Sequence, residues 1–265
     1  MADPTIRPAS RDSVAVVTGA SSGIGLAFSQ RLARLGFRVI AVSRDGADAA
    51  IVLGTLDGVG HEHIAADLST AAGTDRVVSL LATVQAPEVL VNAAGRGVPA
   101  PFASGELRDE LSMLDLNVRA PLVLTHAALR AMRAAGRGTV ITVASTAGLW
   151  SGGTYSASKS WIVAFSRGVS TSLAGSGVQL TCVAPGFTST PFFEHAQVPL
   201  RGRKAGWLWL SPGLVVDECL KGAARGRALV IPTRRYRLLV WLALAIPSGA
   251  RARLVAAVSR SAGIG

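Results

Sequence analysis

An apolar run, a glycine-rich turn and an amphipathic helix follow one another near the start of this 265-residue chain. The run covers residues 14–17, the turn reads TGASSGIG over residues 18–25, and apolar residues continue at helical spacing beyond it. In such an arrangement Gly19 permits a tight turn, Gly23 lets the backbone approach a pyrophosphate, and Gly25 allows close helix packing. The free N–H groups at the start of the helix face the phosphates. The segment therefore predicts the first strand, turn and helix of a dinucleotide-binding fold.

Further strand-like runs alternate with helix-like stretches along most of the chain. These runs are residues 38–42, 89–92, 139–143, 178–183 and 228–232. Strands that alternate with helices favour an α/β fold with a doubly wound, Rossmann-like parallel sheet. Hydrophobic residues make up 49% of the chain, which is enough to form the core of one domain of 265 residues.

Tyr155 and Lys159 lie four residues apart, one helical turn, and so share a helix face. An ammonium beside a phenol stabilises the phenolate and lowers the tyrosine pKa from about 10 towards neutrality. Such a pair exchanges a proton with a substrate oxygen without a metal. The alternative is an ordinary surface pair, but the glycine turn upstream favours the catalytic interpretation.

The glycine spacing G-x-x-x-G-x-G and the Tyr-x-x-x-Lys pair together resemble the short-chain dehydrogenase/reductase family. Other short motifs stand in that family's order between residues 12 and 232. They are Asp67-Leu68, Asn92-Ala-Ala-Gly95, Leu116-Asn-Val118, Ser145 after the strand-like run 139–143, and Pro185-Gly-Phe-Thr-Ser-Thr190.

The resemblance implies a role for each matching residue. Ser145 hydrogen-bonds the substrate oxygen, Tyr155 transfers the proton, Lys159 assists the tyrosine and binds the nicotinamide ribose, and Asn117 anchors a proton-relay water. The turn at 185–190 clamps the nicotinamide amide, and the Asp67 carboxylate contacts the adenine ring. The implied cofactor-binding residues are Thr18, Gly19, Ser21, Ser22, Gly23, Ile24, Gly25, Ser43, Arg44, Asp67, Leu68, Asn92, Ala93, Gly95, Tyr155, Lys159, Pro185, Gly186, Thr188 and Thr190.

The end of the second strand-like run predicts the cofactor. Ser43 holds the position at which an NAD enzyme carries a carboxylate for the ribose 2′-OH. Arg44 follows, and its guanidinium suits the 2′-phosphate of NADP. Asp45 would favour NAD if it reached the ribose instead. We predict NADP, with NAD as the alternative.

The connection between Ser145 and Tyr155 is shorter than is usual in the family. This segment normally lines the substrate pocket, so the shortening predicts a reshaped pocket and puts the contact between the two hydroxyls in question. Gly152 and Gly153 give the backbone freedom to close the gap.

The placement of the histidines and cysteines in the sequence predicts neither a metal site nor a disulfide framework. His61 and His63 are two residues apart without further ligands nearby, and Cys182 lies in an apolar strand-like run, where a buried, inert thiol is expected. Because the chain begins without a signal-like segment, we predict a cytoplasmic protein.

The C-terminal extension carries almost all the excess charge. Residues 196–265 contain 12 Lys and Arg against 2 Asp and Glu, whereas residues 1–195 contain 15 against 14. The apolar run 238–246 is too short to span a membrane. The favoured interpretation is a helix that covers the substrate cleft or a subunit interface. The alternative is a helix on an anionic membrane surface at the inner membrane face. Nothing in the pattern indicates nucleic-acid binding.

Three segments follow from these patterns: a flexible N-terminus at 1–11, a catalytic domain at 12–232 with a substrate loop at about 187–210, and a basic amphipathic extension at 233–265. The family commonly assembles through the helices that carry Asn117 and Tyr155, which predicts a homodimer or homotetramer.

Apolar residues in segments 96–103, 147–154 and 187–210 predict a lipophilic small-molecule substrate. We expect an oxidoreductase that transfers a hydride between NADP and a ketone or secondary alcohol. A 3-oxoacyl thioester is the alternative substrate, and a non-catalytic NADP-binding module is the alternative of another class.

Overall fold

The computed structural model describes residues 6, 8, 10, 13–83, 87–149, 152–192, 206–246 and 250. Within them seven strands form one parallel sheet in the order β3-β2-β1-β4-β5-β6-β7. The strands are β1 (Val14–Thr18), β2 (Arg38–Ser43), β3 (Glu62–Ala65), β4 (Val89–Asn92), β5 (Gly138–Val143), β6 (Val178–Val183) and β7 (Leu229–Val230). The predicted doubly wound α/β fold is confirmed, although the last strand is shorter than its apolar run.

Helices cover both faces of this sheet. They are α1 (Gly23–Arg34), α2 (Ala49–Leu53), α3 (Ala71–Thr83), α4 (Leu107–Leu114), α5 (Ala120–Ala135), α6 (Gly153–Ser172), α7 (Pro212–Ala223) and α8 (Arg234–Ala245). Successive residues of β1 alternate between the two faces: Ala15 and Val17 join one buried cluster, Val14 and Val16 the other. Burial on both faces explains why the strands read as uninterrupted apolar runs.

The order of the strands reverses between β1 and β4. Both strands are parallel, and Thr18 at the end of β1 is paired with Asn92 at the end of β4. In doubly wound sheets a ligand cleft opens at the carboxyl ends of the strands at this reversal point. The glycine turn, the turn after β4 and the start of α6 converge on this edge.

Helices α4 and α5 are joined by a π-helical turn at Asp115–Arg119. The wider turn interrupts the regular pattern of hydrogen bonds, as π-turns often do at functional sites. It contains Asn117, whose side chain is almost fully buried.

The two ends of the chain are described in part. Ile6, within the predicted flexible N-terminus, is half-buried against the cluster around β1 and α1. At the other end, α8 buries Tyr236 and Val240, and residues 251–265 of the predicted extension lie outside the described residues. Among the helices that are described, none is long and apolar enough to cross a membrane.

Candidate active site

The glycine turn between β1 and α1 brings two walls of the cleft into backbone contact. Gly19 has φ +65°, and a Cβ placed on it would lie 2.8 Å from the backbone of Ala94. Thr18 tightens the same contact, since its hydroxyl accepts hydrogen bonds from Ala93 N (3.1 Å) and Ala94 N (3.2 Å). Thr18 therefore shapes the cleft rather than facing it.

The first turn of α1 fits a bound pyrophosphate. No side chain caps the helix at Ser22, so its first N–H groups have no side-chain acceptor. Gly23 has φ +55°, and a Cβ there would lie 2.9 Å from the methyl group of Thr190. Backbone N–H groups without side chains in front of them are the donor set that a phosphate requires. The lack of a cap thus matches the dinucleotide site predicted from the sequence.

Asn92 connects the turn after β4 with the helix behind it. Its side-chain nitrogen donates to Thr125 Oγ1 at 3.0 Å, and its buried Oδ1 has no hydrogen-bond partner among the described residues. Most of this side chain thus serves the packing of the sheet, and only Oδ1 is available to a ligand.

At the end of β2, the arrangement favours Arg44 over Asp45 as a ligand residue. Asp45 accepts a hydrogen bond from Ala47 N at 2.9 Å and so caps the short 3-10 helix that follows. Arg44 is exposed and makes no ion pair with a described residue. Ser43 contacts His63, with 2.7 Å between Oγ and Nε2. From the sequence, this histidine was considered only as a metal ligand, and its position beside the predicted phosphate site was missed.

Asp67, the predicted adenine contact, is partly engaged within the protein. Its Oδ1 accepts from both the backbone nitrogen (2.9 Å) and the hydroxyl (2.7 Å) of Ser69. A contact with adenine would therefore use Oδ2. The side chain of Leu68 is buried in the core.

Three predicted catalytic side chains meet at the carboxyl end of β5. Helix α6 begins at Gly153, which puts Tyr155 in its first turn and Lys159 one turn later on the same face. Lys159 Nζ lies 5.8 Å from the centre of the Tyr155 ring and donates to Val143 O at 3.0 Å. Ser145 follows β5, and its hydroxyl forms a hydrogen bond with Tyr155. The short connection thus brings the two hydroxyls together.

The pKa of Tyr155 corrects one expectation. Burial raises it to about 12, and the hydrogen bond with Ser145 opposes this increase only in part. The predicted decrease towards neutrality is wrong in this structure, because desolvation of the phenolate has the largest effect on its pKa. Burial also lowers the pKa of Lys159, to about 8. At neutral pH Tyr155 is therefore a protonated phenol, which is the form that donates a proton.

Asn117 fixes the relation between the turn after β4 and α6. Its amide accepts from Arg96 N (3.0 Å) and donates to Arg96 O (2.9 Å) and to Ser158 Oγ (3.2 Å). A Cβ on Gly95 would lie 3.2 Å from both Asn117 Oδ1 and Lys159 Nζ, so a glycine is required between them. The side chain thus ties Arg96 to α6. Its predicted role in anchoring a water stays a prediction.

The turn at 185–190 lies across the cleft from these groups. Thr146 N donates to Pro185 O at 2.8 Å, which ties the turn to the segment after β5. Thr188 is buried, and its hydroxyl donates to Gly186 O at 3.0 Å. Thr190 contacts the glycine turn through its methyl group.

Aromatic side chains border the open side of the site. The rings of Phe192 and Tyr155 are 5.4 Å apart, and Phe187 packs against Trp209 at 5.8 Å. Phe102 is two-thirds exposed, at 67%. Two other aromatics expected here, Trp150 and Phe193, lie outside the described residues.

Both cysteines and His61 have structural positions. Cys182 and Cys219 are buried, and burial raises the pKa of Cys182 to about 11. His61 accepts from Val39 N at 3.0 Å. No group of potential metal ligands occurs within the described ranges.

Comparison with known proteins agrees with this geometry. The family model described as short chain dehydrogenase matches residues 13–198. The chain is 32% identical over 232 residues to the short-chain reductase protein NovJ of Streptomyces niveus, covering 85% of this chain and 86% of that protein. It is 34% identical over 192 residues to the 3-oxoacyl-[acyl-carrier-protein] reductase of a Synechocystis strain, covering 69% and 76%.

A solved structure extends the likeness to three dimensions. The short-chain dehydrogenase from Sphingobium yanoikuyae, in complex with NADPH, superposes with a TM-score of 0.80 at 27% identity, covering 92% of this chain and 95% of that one. The residues that the family model matches contain the glycine turn, the cluster of Ser145, Tyr155 and Lys159, and the turn at 185–190. The chain therefore belongs to the short-chain dehydrogenase family of oxidoreductases, which act on alcohols and carbonyls.

Proposed function

We propose that this protein is an NADP-dependent carbonyl reductase for lipophilic ketones. The observation that carries the proposal is the position of the Tyr155 phenol, whose ring lies 5.4 Å from that of Phe192. The phenol is beside the Ser145 hydroxyl, and burial raises its pKa, which keeps it protonated at neutral pH. A proton donor at an apolar opening suits a carbonyl oxygen on an otherwise hydrophobic molecule.

The chain's residues have distinct parts in the reaction. The bound nicotinamide would supply the hydride for the carbonyl carbon. Ser145 and Tyr155 hold the carbonyl oxygen with two hydroxyl groups, and Tyr155 gives its proton as negative charge develops there. Lys159 would hold the cofactor ribose, and its ammonium stabilises the phenolate that forms when Tyr155 gives up its proton. Asn117 keeps Gly95 and Ser158 in place around them.

The preference for NADP rests on Arg44. Its guanidinium is exposed and unpaired among the described residues, whereas Asp45, the carboxylate that would favour NAD, caps a backbone turn. An unpaired guanidinium at this edge suits a 2′-phosphate. The solved relative from Sphingobium yanoikuyae contains NADPH, which agrees with this preference.

The lowered pKa of Lys159 predicts that NADPH binding weakens in mild alkali. A group with a pKa of about 8 instead of 10.5 loses its proton as the pH rises through 8. The neutral amine attracts the cofactor less, so the Kd for NADPH rises by up to about tenfold per pH unit above that point. Cys182 and Tyr155, with pKa values raised to about 11 and about 12, stay neutral over this range. Fluorescence titration at several pH values measures the effect.

Lys159→Met is the control for this prediction. It should bind NADPH more weakly near neutral pH and show no further weakening above it, because the titrating group is gone. The same pH dependence in the variant would assign the effect to another group.

A 3-oxoacyl thioester is the second candidate substrate. The Synechocystis relative is a 3-oxoacyl-[acyl-carrier-protein] reductase, and an acyl chain suits the same aromatic border. Comparing kcat/KM for a series of lipophilic ketones with that for 3-oxoacyl thioesters of matched chain length, with NADPH absorbance as the signal, decides between them. A higher value for the thioesters would replace the first candidate with the second.

We propose a homo-oligomer that forms through α4, α5 and α6. Leu107, Leu111 and Leu114 are exposed along α4. On α6, Trp161 and Phe165 stack with 4.7 Å between ring centres and remain half-exposed. Apolar residues on two such helices favour burial against another copy. Light scattering at micromolar concentration tests this; a monomer would reject it.

The outer face of α8 suits an anionic membrane surface. Leu238, Trp241 and Leu242 are exposed on it, beside the exposed Arg234 and Arg237. Apolar side chains next to basic ones are typical of helices that lie in a lipid interface. The inner face of α8, with Tyr236 and Val240, packs on the protein, while its outer face is free to contact lipid. We propose peripheral membrane association through the outer face, and we expect turnover of a small soluble ketone to proceed without a membrane.

Vesicle binding tests the proposal on α8. The protein should co-sediment with phosphatidylglycerol vesicles at low salt and be released as the Debye length falls from about 30 Å to about 8 Å. The double variant Arg234→Gln and Arg237→Gln should bind about 2 kcal/mol more weakly, at about 1 kcal/mol per charge. Replacing the exposed Arg225 and Arg227 by Gln is the matched control, expected to change binding little. Absence of vesicle binding at low salt would reject membrane association.

A further inference from the structure

The side chain of Tyr236, in the first turn of α8, lies directly beneath the turn at 185–190. It is only 4% exposed. A Cβ built on Gly186 would lie 1.9 Å from two carbons of the Tyr236 ring, so the ring fills the place that any other residue at 186 would need. Glycine at 186 and tyrosine at 236 are therefore matched to each other.

The hydroxyl of Tyr236 joins two separate segments of backbone. It accepts a hydrogen bond from Phe187 N at 2.9 Å and donates one to Leu208 O at 2.8 Å. Burial raises the pKa of Tyr236, so the hydroxyl keeps its proton and can do both. The same two segments are also paired directly, by Leu210 N to Phe187 O (2.8 Å) and Ser189 N to Leu210 O (2.9 Å). One phenol thus completes a junction of three segments.

The start of α8 is built to hold this tyrosine in place. Thr233, the residue before the helix, has φ +68°, a conformation that a β-branched residue rarely adopts. Its hydroxyl accepts from Tyr236 N at 3.4 Å and so caps the helix at this residue. This strained backbone conformation at Thr233 sets the direction in which α8 begins, and it thereby places Tyr236 against Gly186.

We propose that Tyr236 is a positioning residue for the cofactor, which holds the turn at 185–190 in the conformation that receives the nicotinamide. The inference rests on the proposed function, because it takes that turn as the nicotinamide clamp. It goes beyond the family likeness, since the family model matches residues 13–198 and does not reach α8. Without the hydroxyl, its hydrogen bonds with Phe187 N and Leu208 O are lost, so the turn is held less firmly above the ring.

The test compares a whole cofactor with a part that lacks nicotinamide. Tyr236→Phe keeps the ring and removes the hydroxyl. We expect it to weaken NADPH binding by about tenfold, the scale of one lost hydrogen bond. Binding of adenosine 2′,5′-bisphosphate, which has the 2′-phosphate but no nicotinamide, should change by less than about twofold. Isothermal titration measures both.

Val240→Ala is the matched control, because Val240 is equally buried one turn further along α8. It loosens the packing of the helix but keeps the hydroxyl, so both ligands should bind as in the wild type. Equal weakening of both ligands in Tyr236→Phe, no weakening at all, or the same selective loss in Val240→Ala would overturn the inference.

One measurement on the wild type keeps the inference testable if Tyr236→Phe does not fold. The amide of Phe187 should exchange slowly with solvent in the free protein, because it donates to a buried hydroxyl. Fast exchange there would overturn the inference. The proposed function fails separately: it fails if the wild type binds no NADPH, whereas normal NADPH binding in Tyr236→Phe rejects only the role of Tyr236.

Discussion

Replacing Tyr155 by Phe is expected to reduce turnover by about 10²–10⁴, the usual contribution of a general acid. The ring and its contact with Phe192 remain, so the substrate pocket keeps its shape. The Ser145 hydroxyl beside it is a weaker acid than a phenol, so it does not replace Tyr155 as the proton donor. Steady-state kinetics with saturating NADPH measures the loss.

The control for Tyr155→Phe is nucleotide affinity. NADPH should bind the variant almost as it binds the wild type, since Lys159 and the glycine turn are intact. Lys159→Ala, in contrast, should lose both turnover and affinity, because its ammonium serves both. Near-normal rates in Tyr155→Phe would reject the mechanism.

Replacing Arg44 by Ala should reverse or abolish the preference for NADPH over NADH. The lost charged hydrogen bond corresponds to about 1.5–3 kcal/mol, or about 10- to 150-fold in Kd, for NADPH alone. NADH lacks the 2′-phosphate, so its affinity should hardly change. The ratio of kcat/KM for the two cofactors is the measurement.

Arg38→Ala separates a local contact from the general effect of charge. Arg38 lies at the opposite end of β2 and pairs with Glu62, so its loss removes one positive charge far from the predicted phosphate. It should leave the cofactor ratio unchanged. If Arg44→Ala weakened the binding of NADPH and NADH equally, the proposed contact between Arg44 and the 2′-phosphate would be rejected.

The sheet and the cluster of Tyr155 and Lys159 could be predicted because both depend on short sequence spacing. Two-face burial makes each strand apolar throughout, and four residues make one helical turn. The NADP preference was also predictable, because Ser43 ends β2 and Arg44 follows it directly. Here local sequence determines local geometry.

Other features depend on contacts between distant segments, and the sequence did not reveal them. The π-helical turn around Asn117 is one, because no residue pattern marks it. Tyr236 is another: its partners, Phe187 and Leu208, lie 49 and 28 residues away. The pKa of Tyr155 was predicted in the wrong direction, since spacing indicates a neighbouring charge but gives no measure of burial.

Transfer of a labelled hydride tests the central claim most directly. The purified protein is incubated with a lipophilic ketone or a 3-oxoacyl thioester and NADPH that carries deuterium at the transferred position of the nicotinamide, and the alcohol is analysed by mass spectrometry. We predict one deuterium on the carbinol carbon of the wild-type product, and labelled alcohol formed about 10²–10⁴ times more slowly by Tyr155→Phe. Tight NADPH binding without any labelled alcohol across the whole substrate series would contradict this account and identify the chain as a nucleotide-binding module without turnover.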